Sequence, residues 1–500
     1  MNVEPEISVS PITGANYPLP STSDDREGIS EFIGGHPDKP VVAVQGLGFV
    51  GAVMALVCAN AITRDYAVIG VDLANVDSYW RIPSLNDGVF PLTAEDPKVE
   101  RFYARARARG NFYSTFDAYA YAMADVIIVD INLDVDKQSE NRGDLVDYDV
   151  DLTGLRKAMK DIGKNCGEDA LILVETTVPP GTCEKVVFPI IEEELAYRGL
   201  RTDRFKLGHS YERVMPGPNY IDSIRTFPRV YSGINEDSAK ATENFLQTII
   251  DTEQCPLTRL ESTNATEMAK VLENTYRAMN IAFVAEWSRF AETAGVDLHA
   301  IVNAIRQRST HANLMYPGIG VGGYCLTKDP LLASWSFREL FNSMERLDCS
   351  ESAVRINDRM PLFAYDFLRK EYGNLDGSRI LLLGVSYRGG VGDTRFSPVD
   401  LFYDCLIDAG ADLILHDPYV SYWPEKERRV HQEFLSALAE NPDIVIVSTG
   451  HKAYKEFELL NALEKNTGMY IYDTVGALSA EDIVDLRKAN TVKVLGRGDL

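Results

Sequence analysis

The stretch from Val41 to Asp72 constrains the fold more than any other part of this chain. Residues 41–45 form a short apolar run typical of a buried strand, and Gly46-Leu47-Gly48-Phe49-Val50-Gly51 follows directly. A helix-like apolar segment comes next, and a second strand over residues 66–71 ends in Asp72. This order of strand, glycine loop, helix, strand and acid is that of a dinucleotide-binding unit. A glycine-rich turn without a ligand is the alternative interpretation.

The residues of this unit have separate predicted roles. Gly46 permits the tight turn, Gly48 lets a pyrophosphate approach the backbone, and Gly51 lets the helix pack on the strand. The helix N-terminus is an anion site. Asp72 would bond a ribose 2′-hydroxyl and repel a 2′-phosphate, so NAD is favoured over NADP. The predicted cofactor residues are Gly46, Gly48, Phe49, Val50, Gly51, Asp72 and, after a later strand, Thr177.

That later strand, over residues 170–174, ends in Glu175-Thr176-Thr177-Val178-Pro179-Pro180-Gly181-Thr182. Ligands of doubly wound sheets sit at the carboxyl ends of the strands. Glu175 and the two threonines are therefore expected to face cofactor or substrate. The alternative for Glu175 is a solvated helix-cap acid.

A second glycine loop, residues 318–330, carries one thiol. Four glycines precede Cys325, and Lys328 and Asp329 follow it. A glycine run lets the backbone approach a ligand closely. A thiol near a cation and backbone N–H groups can act as a nucleophilic thiolate. A turn that happens to contain a buried cysteine is the competing interpretation.

A helical pattern is predicted from about residue 264 to 304. Glu267, Lys270 and Asn274 are three and four residues apart, so they share a face, on which Lys270 and Asn274 could bind one oxygen. An ordinary solvated face is the alternative. The apolar stretch from Tyr276 to Phe290 predicts a helix covered on several sides, as in a core or a dimer seam.

The C-terminal half alternates strands and helices again, which predicts a second parallel sheet. Arg388 and Arg395 lie near predicted strand ends and could hold phosphates, although single arginines are often only solvated. The predicted fold class is α/β, in the order α/β, helical, α/β. The expected divisions are 1–38 (a disordered-like extension), 39–235, 236–365 and 366–500.

Composition excludes several classes of protein. The net charge of −24 disfavours nucleic acid and anionic lipid as partners. Seven scattered cysteines without C-x-x-C spacing argue against a disulfide framework and a structural metal, and fit a reducing cytoplasm. We expect no membrane span, and the N-terminus lacks the pattern of an export signal.

Taken together, these motifs resemble those of the UDP-glucose/GDP-mannose dehydrogenase family over residues 41–491. Seven segments occur in the family's order, and each alone would be weak. They are the GLGFVG loop with Asp72, Asn86-Asp87-Gly88, residues 175–182, residues 212–217, the Lys270/Asn274 helix, residues 318–330, and the stretch GVSYRGGVGDTRFSP.

The resemblance implies two oxidations of a sugar C6 alcohol with two NAD. It implies that Cys325 is the nucleophile, that Lys270 and Asn274 stabilise an oxyanion, and that Asp329 organises Lys270 and a water. Glu175 would be a general base or hold the hydrolytic water. It further implies two Rossmann-type domains joined by a central helical dimerisation segment, a UDP-sugar substrate and a homodimer or larger assembly. The implied substrate-binding residues are Glu212, Arg213, Tyr316, Gly320, Gly322, Gly323, Tyr387, Arg388 and Arg395.

The sequence departs from the family pattern around the thiol and after the third strand. Tyr324 and Thr327 replace the family's usual residues beside the thiol. A family threonine has no clear counterpart, with Asn132 as a candidate, and Arg308 or His311 is a candidate for an arginine that crosses the dimer. Glu175 ahead of the threonines favours a UDP-N-acetylhexosamine, with UDP-glucose or GDP-mannose as alternatives. A single-step hydroxyacid dehydrogenase and a non-catalytic nucleotide-sugar-binding protein are the other hypotheses.

Overall fold

A computed structural model describes residues 6–21, 24–92, 95–211, 213–214 and 217–500. The chain divides into two compact units. The first contains residues 1–134, 150–271 and 335–344, and the second contains residues 135–149, 272–334 and 345–500. The first unit continues well past residue 235, the boundary expected from the sequence.

The first unit is built on an eight-stranded sheet. The strands of this sheet are buried and rich in β-branched residues, as parallel strands covered on both faces require. The pairing is parallel except between the strands at 206–209 and 229–233. The strands in chain order are β3 (Val41–Gln45), β4 (Ala67–Val71), β5 (Phe112–Thr115), β6 (Val126–Val129), β9 (Leu171–Val174), β10 (Lys206–His209), β11 (Arg229–Gly233) and β12 (Leu257–Arg259), arranged as β12-β11-β10-β9-β6-β3-β4-β5.

Helices cover this sheet, and the predicted strand–loop–helix–strand unit is present at β3 and β4, the sixth and seventh strands in the sheet order. The helix after the glycine loop has all nine residues buried, which explains its uniformly apolar sequence. The helices are α2 (Gly51–Ala59), α3 (Arg81–Asp87), α4 (Pro97–Arg109), α5 (Ala120–Met123), α6 (Thr153–Asn165), a π-helix (Cys183–Val187), α7 (Phe188–Tyr197), α8 (Tyr220–Arg225) and α9 (Glu236–Ile249).

The described part of the segment before residue 38, residues 6–21 and 24–37, is ordered, contrary to the expected disordered-like extension. It forms two short paired strands, β1 (Ile7–Val9) and β2 (Asn16–Pro18), and a helix, α1 (Arg26–Gly34). Its composition is polar, but Ile29 is fully buried and Phe32 stacks on Tyr113 of β5. A few well-placed contacts with the neighbouring sheet therefore order a segment whose composition predicts disorder.

The second unit contains a five-stranded, fully parallel sheet, as predicted for the C-terminal half. Its strands, in the order β14-β13-β17-β18-β19, are β13 (Arg379–Leu383), β14 (Asp412–His416), β17 (Ile444–Val447), β18 (Tyr470–Asp473) and β19 (Thr491–Val494). Short strands β7 (Val135–Gln138), β8 (Asp147–Val150), β15 (Tyr422–Trp423) and β16 (Arg428–Arg429) form two further pairs. The helices are α11 (Leu298–Arg306), α13 (Asp348–Tyr372), α14 (Pro398–Asp408), α15 (Phe434–Leu438), α16 (Phe457–Lys465) and α17 (Ala480–Leu486), and 3₁₀ turns lie at 309–311, 424–426 and 452–455.

Two helices, α10 (Thr263–Ala294) and α12 (Asp329–Glu339), contain a boundary between the units. The helix predicted to run to residue 304 ends instead at Ala294. Gly295 follows with φ +71°, a left-handed conformation that terminates helices. Asp297 then caps α11 by accepting a hydrogen bond from the Ala300 N–H. The sequence Gly-Val-Asp was the local signal for this break.

No described helix combines the length and apolarity that crossing a bilayer demands.

Candidate active site

The three glycines of the loop in the first unit have different surroundings. Packing requires a glycine at two of the positions, and the third leaves space for a bound dinucleotide. A Cβ at Gly46 would lie 2.2 Å from the Asp130 carbonyl oxygen, and one at Gly51 would lie 1.8 Å from the Gly46 oxygen. A Cβ at Gly48 would meet no protein atom within 4 Å. Gly46 and Gly51 therefore allow the tight turn, and the open space beside Gly48 lets a pyrophosphate approach the backbone.

Asp72 lies at the end of β4, where a ribose-binding acid is expected, and is 8% exposed. Its Oδ2 accepts hydrogen bonds from the Leu47 N–H at 3.2 Å and from Arg81 Nη1 at 3.0 Å. Sequence reasoning missed Arg81, because it lies nine residues beyond the motif. The carboxylate is therefore tied both to the glycine loop and to the start of α3.

Phe49 and Val50, which are also predicted to bind the cofactor, precede α2. Phe49 is partly exposed, and its carbonyl accepts a hydrogen bond from the Tyr220 hydroxyl. Thr177 is half-buried in the loop after β9. Its neighbour Thr176 donates a hydrogen bond to the Ile131 carbonyl at 2.6 Å, which anchors that loop to the end of β6.

Glu175 does not face open solvent, which excludes the alternative of a solvated helix-cap acid. It is 0% exposed, and its Oε1 accepts a hydrogen bond from Arg229 Nη2 at 2.8 Å. Arg229 is itself buried and donates through Nη1 to the Tyr211 carbonyl at 3.1 Å. Arg229 lies 54 residues away in sequence, in a segment without a recognisable motif, so sequence reasoning did not find it.

Lys270 lies on α10 and is 7% exposed. Its Nζ lies 5.5 Å from the centre of the Tyr211 ring, within the range of a cation–π contact. Burial and the charge of Lys270 lower the pKa of the nearby His209 to about 3, so that imidazole is neutral at physiological pH. A lysine predicted from spacing alone thus lies in a buried, tightly packed setting rather than on a solvated helix face.

Glu267, one turn before Lys270, holds the loop that follows β9. Its carboxylate accepts hydrogen bonds from the Gly181 N–H at 2.6 Å and from the Cys183 N–H at 2.7 Å. The side chain is fully buried, and this burial raises its pKa to about 7. Glu267 therefore fixes the Glu175–Thr182 loop against the helix that carries Lys270.

Cys325, in the second unit, is exposed at the start of the turn that leads into α12. Its carbonyl accepts hydrogen bonds from the Lys328 and Asp329 N–H groups, which shapes this turn. Asp329 is 0% exposed and accepts hydrogen bonds from Asn274 Nδ2 at 2.6 Å and from Lys328 Nζ at 3.1 Å. The structure thus brings together the turn that carries Cys325 and two other predicted residues, Asp329 and Asn274. The exposure of Cys325 excludes the buried-cysteine alternative.

Lys328 is the cation that the sequence predicts near the thiol. It is buried, and its Nζ lies 4.5 Å from the centre of the Tyr324 ring. The Tyr324 ring in turn contacts Phe396, which has a left-handed backbone φ of +53°. The residue directly before the thiol is therefore fixed by a cation on one side and an aromatic ring on the other.

The glycines predicted to contact substrate are needed first for packing within the protein. A Cβ at Gly322 would lie 2.6 Å from Tyr387 Cβ, and one at Gly323 would lie 2.7 Å from the Tyr387 ring. A Cβ at Gly320, where φ is +148°, would lie 3.0 Å from Pro398. The loop therefore lies directly on the segment that carries Tyr387, and any ligand contact of these glycines comes through their backbone.

The remaining predicted substrate residues have different surroundings. Arg388 is exposed, whereas Arg395 pairs with Asp393 through two hydrogen bonds, at 2.9 and 2.7 Å. The Tyr316 hydroxyl donates to Asn303, and Arg306 lies over its ring. Arg213 donates to the Pro228 carbonyl, and Glu212 lies outside the described residues.

A cavity of about 750 Å³ opens in the second unit beside this region. Arg395 lines it, together with Val321 and Thr327 of the thiol loop and Lys137 of β7. Lys137 pairs with Asp358 at 2.8 Å. Of the described residues, no group of His, Cys, Asp and Glu side chains is arranged to hold a metal ion.

The geometry defines a class before any comparison: a dehydrogenase with a dinucleotide unit and a separate, exposed thiol supported by a buried carboxylate. Comparison with known families gives the same class. The chain matches the NAD-binding domain of the UDP-glucose/GDP-mannose dehydrogenase family over residues 41–251, its central domain over 264–359 and its UDP-binding domain over 381–480. The chain belongs to this family of NAD-dependent nucleotide-sugar dehydrogenases.

Individual relatives agree with this assignment. The chain is 32% identical over 423 residues to the UDP-N-acetyl-D-mannosamine dehydrogenase of Pyrococcus horikoshii, covering 83% of this chain and 90% of the relative. It is 27% identical to the UDP-N-acetyl-D-glucosamine 6-dehydrogenase of Pseudomonas aeruginosa, covering 89% and 99%.

Solved structures give the same result. A UDP-D-ManNAc dehydrogenase from Pyrococcus horikoshii superposes with a TM-score of 0.75 at 28% identity, covering 92% of this chain and 100% of that one. An NDP-N-acetyl-D-galactosaminuronic acid dehydrogenase from Methanosarcina mazei superposes with a TM-score of 0.74 at 25% identity, covering 94% and 98%. The fold predicted from sequence, with two Rossmann-type domains, is confirmed.

Proposed function

We propose that this protein oxidises the C6 alcohol of a UDP-N-acetylhexosamine to the carboxylate, through a covalent intermediate on Cys325. The observation that carries the proposal is the exposed Cys325 thiol, whose turn is fixed by Asp329, itself hydrogen-bonded to Asn274. NAD, when bound, accepts the hydride in each of the two oxidations. The sugar class is supported by the relatives that act on UDP-N-acetyl sugars.

The thiol gives the second oxidation a substrate that stays on the protein. Cys325 Sγ adds to the C6 aldehyde carbon to form a C–S bond, and the former carbonyl oxygen takes a proton as a thiohemiacetal. Oxidation of this adduct gives a thioester. Water then adds to the thioester carbonyl, the C–S bond breaks, and the thiolate and the carboxylate are released.

Lys270 and Asn274 are the proposed oxyanion partners. They lie one turn apart on α10, so both side chains can reach an oxygen on the same face of the helix. Asp329 holds the Asn274 amide through the 2.6 Å hydrogen bond and leaves the amide a second N–H. Preorganised donors of this kind stabilise developing negative charge without reorganising during the reaction.

Thr177 and the loop residues from Gly46 to Gly51 are proposed to contact the cofactor, with Asp72 on the ribose. For the nucleotide sugar we propose the backbone of Gly320, Gly322 and Gly323 together with the following side chains: Glu212, Arg213, Tyr316, Tyr387, Arg388 and Arg395. Arg388 is the strongest of these for a phosphate, because it is exposed and lies beside the thiol loop's partner Tyr387.

Glu175 is proposed to take the proton of the hydrolytic water. We expect Glu175→Gln to lower kcat by about 10²-fold, because general bases contribute roughly 10²–10⁴. The amide can still accept the Arg229 hydrogen bond, so the fold should persist. A rapid-quench experiment should find the sugar covalently attached to the protein after a burst of NADH. A kcat within threefold of the wild-type value would remove Glu175 from the mechanism.

A screen for NADH production tests the proposed substrate. The purified protein is mixed with NAD and, separately, with UDP-GlcNAc, UDP-GalNAc, UDP-ManNAc, UDP-glucose and GDP-mannose. We expect turnover with at least one N-acetylhexosamine and a kcat/KM at least tenfold lower with UDP-glucose and GDP-mannose. Preferred use of either of these two would overturn the sugar assignment and leave the thiol mechanism standing.

We also propose that α10 mediates a homodimer. Large apolar side chains recur along it at intervals of three, four or seven residues and remain 48–64% exposed. A continuous exposed stripe of this kind is rare on a monomer and suits a second copy of the same helix. The residues of the stripe are Leu272, Tyr276, Phe283, Trp287 and Phe290.

Phe283→Glu tests this assembly. Placing a charge in the middle of the stripe should raise the dimer dissociation constant at least roughly 100-fold, as expected for an aromatic anchor at the centre of an interface. Analytical ultracentrifugation at micromolar protein gives the mass. Tyr197→Glu is the control, since Tyr197 is 89% exposed on α7, a different helix. A Phe283→Glu protein that sediments like the wild type would refute an α10 interface.

A further inference from the structure

The segment before the family match contacts the predicted ribose site. The match begins at residue 41, so residues 6–21 and 24–35, here called the N-terminal segment, lie outside it. The segment packs on the first unit at two places. Both are next to Asp72, the acid expected to bind the adenosine ribose of NAD.

The first contact is made by Ser8, which is 0% exposed. Its hydroxyl donates to the Val76 carbonyl at 2.7 Å and accepts from the Trp80 N–H at 3.0 Å. Tyr17, on the paired strand, accepts a hydrogen bond from the Ser84 hydroxyl at 3.1 Å. The segment therefore closes the turn between Asp72 and α3 with a buried hydroxyl that bridges both of its ends.

The second contact is made by Asp25, just before α1. Its carboxylate accepts hydrogen bonds from the Tyr113 hydroxyl at 2.8 Å and the Thr115 hydroxyl at 2.7 Å. The Asp25 N–H donates to Asp117 at 2.8 Å. Thr115 is also the residue whose carbonyl accepts the Asp72 N–H, at 3.1 Å. The segment thus holds the strand beside Asp72 as well as the turn after it.

Arg81 links the first contact to the ribose acid. It follows Trp80 directly, lies against that residue's ring at 5.6 Å, and donates to Asp72 Oδ2 at 3.0 Å. The position of Trp80 therefore determines where Arg81 starts. Arg81 and the Leu47 N–H both bond Asp72 Oδ2, whereas Oδ1 accepts a hydrogen bond from the Leu73 N–H at 2.8 Å.

We propose that the N-terminal segment is part of the coenzyme site, with Ser8 as a positioning residue. Ser8 fixes the Val76–Trp80 turn, the turn fixes Arg81, and Arg81 orients Asp72 toward the adenosine ribose. The segment thereby sets the affinity for NAD without touching the reacting atoms. The proposal rests on the placement of the ribose at Asp72.

Ser8→Ala tests the proposal against a matched control, Ser10→Ala. Ser10 is also fully buried, but its hydroxyl accepts only from the Ile12 and Thr13 N–H groups inside the same hairpin. We expect Ser8→Ala to raise the KM and the calorimetric Kd for NAD roughly 5–10-fold, as for the loss of one buried hydrogen-bonding hydroxyl. The kcat and the KM for the nucleotide sugar should stay unchanged, and Ser10→Ala should bind NAD like the wild type.

Two results would overturn the proposal: an unchanged NAD affinity in folded Ser8→Ala, or an equal loss in Ser10→Ala. If Ser8→Ala does not fold, Tyr17→Phe tests the proposal instead, because it removes the hydrogen bond from the Ser84 hydroxyl. The NAD affinity of Tyr17→Phe should be roughly 2–3-fold lower than that of the wild type. Asp72→Ala tests whether the ribose binds at Asp72 separately from whether the N-terminal segment affects NAD affinity. No loss of NAD affinity in that variant would place the ribose elsewhere, whereas a loss there without one in Ser8→Ala would refute only the role of the segment.

Discussion

Cys325→Ser is expected to lower the rate of carboxylate release at least roughly 10³-fold while leaving the Kd for NAD unchanged. The serine hydroxyl is nearly isosteric with the thiol, so the turn held by the Lys328 and Asp329 N–H groups should persist. It is a much weaker nucleophile, however, and cannot readily form the adduct that the second oxidation requires. The measurement is carboxylate formation, followed by chromatography, together with calorimetric titration of NAD.

Cys349→Ser is the matched control, since Cys349 is also exposed but lies in the first turn of α13. It should turn over like the wild-type protein. Carboxylate production at a near-normal rate by Cys325→Ser would refute covalent catalysis by this thiol, and a comparable loss in Cys349→Ser would point to general oxidation or misfolding rather than chemistry at Cys325.

Lys270→Ala should lower kcat by roughly 10²–10³, the usual cost of removing one partner of a developing oxyanion. The ammonium is 7% exposed and lies over the Tyr211 ring, so solvent cannot easily replace it. Because the interaction strengthens as negative charge develops, the loss should fall on kcat more than on the KM for the nucleotide sugar.

The control for this variant is Lys240→Ala, which removes an exposed lysine from α9 in the same unit. It should change kcat less than twofold. Steady-state kinetics over a range of both substrates separates kcat from KM. A Lys270→Ala enzyme that keeps its kcat and loses only sugar affinity would make Lys270 a binding residue and not an oxyanion partner.

The parts of the fold that could be predicted are those encoded by short, local patterns. The coenzyme unit from Val41 to Asp72 was predictable because two buried strands, a glycine turn and an apolar helix occur consecutively. The two parallel sheets follow from alternating strands and helices. The shared face of Lys270 and Asn274 follows from helical spacing alone.

Contacts between residues distant in sequence were not predictable. The Arg229–Glu175 pair and the Arg81–Asp72 pair lie at places that only the folded sheet brings together. The N-terminal segment is polar in composition, and its order depends on buried contacts such as those of Ser8 and Ile29. A single-sequence pattern records neither, because it does not show which residues the folded sheet brings together.

The stoichiometry of the reaction tests the central claim most directly. A limiting amount of the preferred UDP-N-acetylhexosamine is oxidised to completion with excess NAD, NADH is measured by absorbance, and the product is identified by mass spectrometry. A thiol that holds the aldehyde between two oxidations predicts two NADH per sugar and a carboxylate product with no free aldehyde. One NADH per sugar with a stable aldehyde or ketone would contradict it.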